Sequence, residues 1–231
     1  MNSSINNYSN NILTNITLTL EKDENLIILG SNGAGKSTLA KLLCGITPST
    51  DVTINNQKLH TLSAKERSKQ INYIPPKLEI FDAYITVKAY LELSRLYATI
   101  SVDEAIKTLD LKALTNHSCK TLSSGEQQRV LLVSSLLHGA NITIYDEPTA
   151  NLDPNRTIQV YKLLKSDSIK SRIIITHDLT LAYRLGYRII YMKEGAIHFD
   201  GTNKAFFETE NLKQFFGSSL KKIDNHFVVN L

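Results

Sequence analysis

The chain has 231 residues, of which 42% are hydrophobic and 21% charged, and its formal net charge is +4. That is enough length and apolar material for one generous globular domain with room for a small insertion, so disorder is excluded as the default. The positive charge is small and scattered in short pairs such as Lys221-Lys222, which argues against a nucleic-acid-binding face. Two widely separated cysteines, Cys44 and Cys119, make neither a disulfide framework nor a C-x-x-C metal site, and they read as fillers in a reducing compartment.

From the N-terminus, Met1 to Asn11 is polar and Asn-rich, without the apolar stretch of a secretory signal. Ile16, Leu18 and Leu20 alternate with Thr17 and Thr19, the period of a half-buried strand. Leu26-Ile27-Ile28-Leu29 is apolar throughout, as a strand covered on both faces should be. After a glycine-rich turn, Ser37 to Cys44 is predicted to be helical and to stop at Gly45. Three capping boxes, Ser63 to Glu66, Ser101 to Glu104 and Ser123 to Glu126, predict helix starts.

Between about Pro76 and Lys120 only helix is expected, chiefly Thr86 to Tyr97 and Val102 to Leu109. The apolar run from Val130 to Leu137 is interrupted by Ser134 and Ser135 and falls far short of the roughly 20 residues of a membrane span. Any membrane part must come from another chain. Buried strands return at Ile142 to Tyr145 and at Ile173 to Ile175, each followed by a helical pattern. Arg188 to Met192 and Ala196 to Phe199 form a hairpin turning at Glu194-Gly195. Strand and helix alternating around a helical stretch is an α/β core with an inserted helical subdomain, placed at about 77–135.

Gly30-Ser31-Asn32-Gly33-Ala34-Gly35-Lys36-Ser37 satisfies G-x-x-x-x-G-K-[ST], with a buried strand before it and a helix after. Triphosphate oxygens need converging backbone N–H groups, and glycine allows both the angles and the close approach. The helix that follows adds its positive end. Lys36 is positioned to pair with the β- and γ-phosphates and the Ser37 hydroxyl to ligate Mg²⁺, with Thr38 next in the nucleotide-binding stretch. Asp146-Glu147, at the end of a buried strand, puts two carboxylates where parallel sheets hold ligands. Asp146 suits Mg²⁺ held through water, and Glu147 suits the polarising of an attacking water.

Two further segments narrow the field. Leu122-Ser123-Ser124-Gly125-Glu126-Gln127-Gln128-Arg129 resembles the LSGGQ-type signature of ATP-binding-cassette (ABC) ATPases, and Ile175-Thr176-His177-Asp178 resembles their switch-histidine segment. Ala150-Asn151-Leu152-Asp153 resembles their D-loop. The likeness runs from about Tyr8 to Phe216, with the motifs in the family's order. It implies a P-loop NTPase core of the ABC ATPase type, with a mixed sheet, an antiparallel β portion and the helical insertion within one domain. It also implies ATP and Mg²⁺ as ligands, and a head-to-tail pair in which the phosphate loop of one copy meets Leu122, Ser123, Ser124, Gly125 and Glu126 of the other. His177 is then expected at the γ-phosphate, and Tyr8 either stacks on adenine or packs on the core.

The resemblance further implies integral membrane permease subunits as partners, a substrate-binding protein reached indirectly, and a peripheral position on the cytoplasmic face of the inner membrane. No nucleic acid is expected. Leu62 to Arg67, His177 to Ala182 and Glu210 to Gly217 are similar to importers of ferric siderophores, haem or cobalamin, with zinc or manganese importers as the alternative. Leu78, Ile80, Phe81 and Tyr84 are candidates for a permease-facing groove, or for ordinary core.

Three positions depart from the family pattern. Ser124 replaces a signature glycine, Asp23 replaces a turn glycine, and Pro76 stands where a Gln that touches the Mg²⁺ site is expected. For Pro76 three readings stay open: a polar group such as Glu79 or a water substitutes, hydrolysis is slower, or coupling relies on packing. A regulatory nucleotide-binding module with weak turnover is the alternative function. ATPases of DNA repair or translation fit poorly, because they carry two cassettes or long insertions.

Overall fold

The computed structural model describes residues 2–224 and 226–229. In chain order the first elements are β1 (Ser3–Tyr8), β2 (Ile16–Leu20), β3 (Leu26–Gly30), α1 (Lys36–Leu43), β4 (Val52–Ile54), β5 (Gln57–Lys58), α2 (Ala64–Gln70) and β6 (Ile71–Ile74). They are followed by α3 (Val87–Ser94), α4 (Val102–Thr108), α5 (Ser124–His138), β7 (Ile142–Asp146), α6 (Pro154–Lys165), β8 (Ser171–Thr176) and α7 (Leu179–Leu185). The chain closes with β9 (Arg188–Lys193), β10 (Ala196–Gly201), α8 (Asn203–Phe206), α9 (Thr209–Phe216), β11 (Leu220–Ile223) and β12 (His226–Val229).

The central sheet has the order β10-β9-β3-β8-β7-β6. Its strands run parallel from β9 to β6, and β10 is antiparallel to β9. Successive side chains of a strand leave opposite faces, so the apolar runs divide between two cores. Leu26, Ile28, Ile144, Ile173 and Ile175 pack with β1, β2, β4 and α1, while Ile27, Leu29, Tyr145 and Ile174 face the helices from α3 to α9. This is why β3, β7 and β8 read as continuous apolar runs. The second sheet is antiparallel, in the order β2-β1-β4-β5, and covers one face of the first.

β1 carries no strand signal in sequence. Ile5 is its one fully buried apolar residue, and a bulge between Ile5 and Tyr8 with Asn7 at φ 49° bends its end. It is a strand because its edges are paired on both sides, with β2 and, 49 residues away, β4. Ser4 and Thr53 share a hydroxyl hydrogen bond of 2.7 Å across that second pairing.

The predicted capping boxes at Ser63, Ser101 and Ser123 all form, each with its Glu carboxylate returned to the serine N–H. The hairpin between β9 and β10 turns at Glu194 (φ 50°) and Gly195 (φ 77°), the backbone of a two-residue turn that follows strand twist. The stretch 76–86 departs from the expected helix. Asp82 accepts the Tyr84 N–H in a local turn there, and Thr86 bridges to Ser118. α3 starts after Thr86, whose hydroxyl caps it. It stops at Ser94 because the Leu96 and Tyr97 N–H groups turn to the terminal carbonyls of Leu137 and His138 in α5. Cys44 and Cys119 are both buried.

Candidate functional site

The turn from β3 into α1 is built for backbone contact. A Cβ on Gly30 would lie 2.4 Å from the Met192 carbonyl oxygen of the neighbouring strand. Gly33 and Gly35 sit at φ 80° and 95°, which L side chains rarely adopt. Gly35 caps α1 with backbone alone, so the first turn of that helix offers its N–H groups outward. Asn32 to Thr38, with Ile12, Pro76, Asp146 and Glu147, line one open pocket of about 350 Å³. Gly30 and Ser31 present their carbonyls to the Lys36 side chain. The Lys36 ammonium donates to them at 2.7 and 2.9 Å.

Lys36 is 7% exposed. Burial lowers its pKa, and the carboxylates of Glu147 and Asp146 oppose that shift. A buried cation resting on two neutral carbonyls is under-compensated for its desolvation. It is therefore poised to move onto anionic oxygens.

Asp146 ends β7 and is 2% exposed. Its Oδ2 accepts a hydrogen bond of 2.8 Å from the Tyr73 hydroxyl on the adjacent strand β6. Burial and this carboxylate push the Tyr73 phenol well above its ordinary range, so it stays a donor. Ser37 and Asp146 share a second, larger cavity of about 720 Å³ that runs beneath Asn72 to Glu79 toward α5. A hydroxyl and a carboxylate are hard oxygen donors suited to Mg²⁺. Among the described residues no group of three or more His, Cys, Asp or Glu could hold a metal by itself. A cation fits here only if phosphate and water oxygens complete its shell, which is how Mg²⁺ is usually held.

Glu147 has a left-handed backbone at φ 52°, held by its N–H on the Ile175 carbonyl at 2.9 Å. That conformation is uncommon for a residue with a Cβ and marks a position held by its surroundings. The Glu147 side chain meets His177 Nδ1 at 2.9 Å through Oε1 and the Thr176 hydroxyl at 3.4 Å through Oε2. Gln128 of α5 donates to the Glu147 carbonyl at 3.4 Å. The His177 side chain is 66% exposed while that of Glu147 is 19% exposed, so the histidine covers the carboxylate from the solvent side.

The remaining sequence-selected positions lie elsewhere. Tyr8, at the end of β1, is partly buried against the core, its hydroxyl accepting from Asn10, and it does not line the pocket. Ile12 does, at 52% exposure. Leu122 to Glu126 also lie outside that pocket. Ser123 caps α5, with its hydroxyl 2.7 Å from Glu126 Oε2, and the Ser123 bonds hold the Glu126 carboxyl below its ordinary value. A Cβ on Gly125 would come within 3.1 Å of the Asn151 carbonyl, so the start of α5 rests on the 150–153 turn of its own chain. Asp153 caps α6. Leu78 and Ile80 pack on the core, whereas Phe81 and Tyr84 are 92% and 90% exposed.

Sequence reasoning passed over Tyr73, Ile12 and Gln128. Gln128 lies inside the signature-like segment and Tyr73 three residues before Pro76, but no local pattern marks a side chain that acts across strands.

A model of the ABC transporter family matches residues 13–150. The chain is 32% identical over 222 residues to an uncharacterised ABC transporter ATP-binding protein of Methanocaldococcus jannaschii, covering 90% of this chain and 87% of that one. It is 33% identical over 176 residues to a zinc import ATP-binding protein of Aliivibrio fischeri, covering 74% of this chain and 64% of the relative. A dimeric post-hydrolysis ATP-binding cassette solved with ADP and Pi superposes with a TM-score of 0.70 at 26% identity, over 87% of this chain and 98% of that one. With the phosphate loop and the carboxylate pair both within residues 13–150, the chain belongs to the ABC transporter family as an ATP-binding subunit and is an ABC-type ATPase.

Proposed function

We propose that two copies of this chain close head to tail around MgATP, hydrolyse it, and so drive transport through integral membrane permease subunits. The observation that carries the reading is the Glu147 carboxylate. It is oriented by His177 and Thr176 in the pocket that also holds Lys36 and Asp146. Lys36 transfers its two hydrogen bonds from the Gly30 and Ser31 carbonyls to phosphate oxygens, while the N–H groups of 33–38 take the rest. Ser37 and Asp146 hold the cation, which neutralises phosphate charge when bound. Glu147 accepts the proton of the attacking water as general base. His177 keeps that carboxylate aimed and reaches the γ-phosphate.

Adenine falls to the 8–12 segment, where Ile12 lines the pocket. The α5 start of the opposite copy supplies Ser123 and Gly125, and Asp153 marks the turn beside it. Hydrolysis weakens that bridge and lets the pair open, a ligand-biased switch between two states. The chain acts as one ATPase domain, with 77–135 as its helical lobe. Phe81 and Tyr84 face the permease at the cytoplasmic side of the membrane, and among the described residues no helix is long and apolar enough to cross it. A substrate-binding protein acts only through the permease.

The cargo we assign is a metal ion or metal chelate. The segments similar to ferric-chelate, haem and cobalamin importers and the zinc-importing relative meet at that class. Glu147→Gln should lower ATPase turnover by about 10²- to 10⁴-fold and leave an ATP-loaded dimer visible by size exclusion with light scattering. Turnover equal to wild type would remove Glu147 from the chemistry. In vesicles with the permease, labelled Zn²⁺, Mn²⁺, ferric chelate, haem and cobalamin distinguish the cargoes, and transport of none of them defeats the assignment.

A further inference from the structure

One hydroxyl reaches the buried carboxylate from the neighbouring strand β6. β6 and β7 are parallel neighbours, with Tyr73 opposite Ile144 and Ile74 opposite Tyr145. From that diagonal position the Tyr73 ring spans to Asp146, and its hydroxyl donates to Oδ2 at 2.8 Å. Among the described residues this is the only side-chain hydrogen bond on Asp146. The other carboxylate oxygen is left for a cation.

Two residues past Ile74 the chain reaches Pro76, which lines the phosphate pocket with Asp146 and Ser37. A proline side chain has no donor or acceptor, so the side chain at position 76 cannot hold a cation, a water or a carboxylate. Tyr73 is the residue of this strand that makes a side-chain hydrogen bond to the carboxylate.

We propose that Tyr73 is a positioning residue for the divalent-cation site. Its hydroxyl fixes the rotation of the Asp146 carboxylate, and through that bond β6 and the loop after it keep the hold on the cation site that residue 76 does not provide. The inference rests on the MgATP reading above. A freely turning carboxylate presents its oxygens in many directions, and only an anchored one meets a cation within the few tenths of an ångström that ligation needs. Groups that orient a ligand in this way are typically worth about 10- to 100-fold in metal affinity.

The variant is Tyr73→Phe, which keeps the ring in the cavity and removes one oxygen. ADP binding to the full chain is measured by calorimetry in EDTA and across a magnesium series. The variant should match wild type in EDTA and need about tenfold more magnesium for half-maximal tightening. Coincident magnesium curves would overturn the proposal. So would an equal loss of affinity in EDTA, which would mark a merely structural hydroxyl. Tyr73→Phe with Pro76→Gln should recover at least half of the shift, because an amide at 76 restores a polar hold from the same loop; no recovery would refute that part. If wild-type binding is itself indifferent to magnesium, the MgATP reading falls first, an outcome distinct from a wild type that responds beside a variant that responds equally.

Discussion

Replacing Gly195 by alanine tests whether the β9–β10 turn props up the phosphate loop. Gly195 lies against the segment before β2: a Cβ there would stand 1.8 Å from the Ile12 carbonyl oxygen, and the turn or that segment must retreat by about 1.2 Å to reach even a 3.0 Å contact. The retreat threatens two hydrogen bonds, Gly195 N–H to the Ala34 carbonyl at 3.2 Å and Thr14 N–H to the Gly195 carbonyl at 2.9 Å. At about 1 kcal/mol each they account for about 2 kcal/mol, and alanine at φ 77° adds about 1 kcal/mol more. A loss of about 3 kcal/mol corresponds to a fall in Tm of roughly 6–12 °C for a chain of this size.

Gly186→Ala is the control. Gly186 has nearly the same backbone, φ 74°, but nothing stands within 4 Å of the added methyl, so only the conformational part, about 1 kcal/mol, applies. Both variants are measured by thermal and urea unfolding, with nucleotide affinity alongside. Gly195→Ala should also weaken ATP binding, because Ile12 and Ala34 line the pocket, and Gly186→Ala should not. Equal Tm values for the two variants would refute the argument that turn and loop are in obligatory contact.

Two further predictions concern stability. Hydrogen bonds from the side chain and then the backbone of Ser63, Ser101 and Ser123 depress the carboxyls of Glu66, Glu104 and Glu126 below the ordinary glutamate value of 4.5. A depressed folded value stabilises above the unfolded one and is lost as pH falls through the folded one. The urea midpoint should therefore hold down to about pH 5 and fall below 4.5, and Glu→Gln at all three positions should flatten that acid limb; an unchanged limb refutes the caps as its source. Arg172, 4% exposed, donates to the carbonyls of Leu164 and Ile169 and to Asn25. Arg172→Met leaves those buried acceptors unpaired and should cost about 2–4 kcal/mol by denaturant titration, against a loss under about 1 kcal/mol if the arginine only fills space.

Sequence legibility followed the range of the interaction. The phosphate cradle, the Asp146-Glu147 pair, the capping boxes and the Glu194-Gly195 turn are each written in a handful of adjacent residues, because backbone angles and cap donors are satisfied within one turn of chain. The apolar runs at 26–29, 142–145 and 173–175 declared a doubly covered sheet for the same reason: nearest-neighbour alternation tells how many faces are buried. Order of motifs supplied the family.

What only the tertiary structure decided spans long stretches of chain. SSINNY became the strand β1 because β4, 49 residues on, pairs with its free edge. Tyr73 reached Asp146 because two parallel strands lie side by side. Ile12 entered the pocket, and Tyr8 stayed on the core, because the β9–β10 turn fixes the segment between them and β2. Sequence by itself determined the local chemistry of each motif. Which side chains stand opposite one another depended on strand register and close packing, set by the whole folded chain and carried by no short window of it.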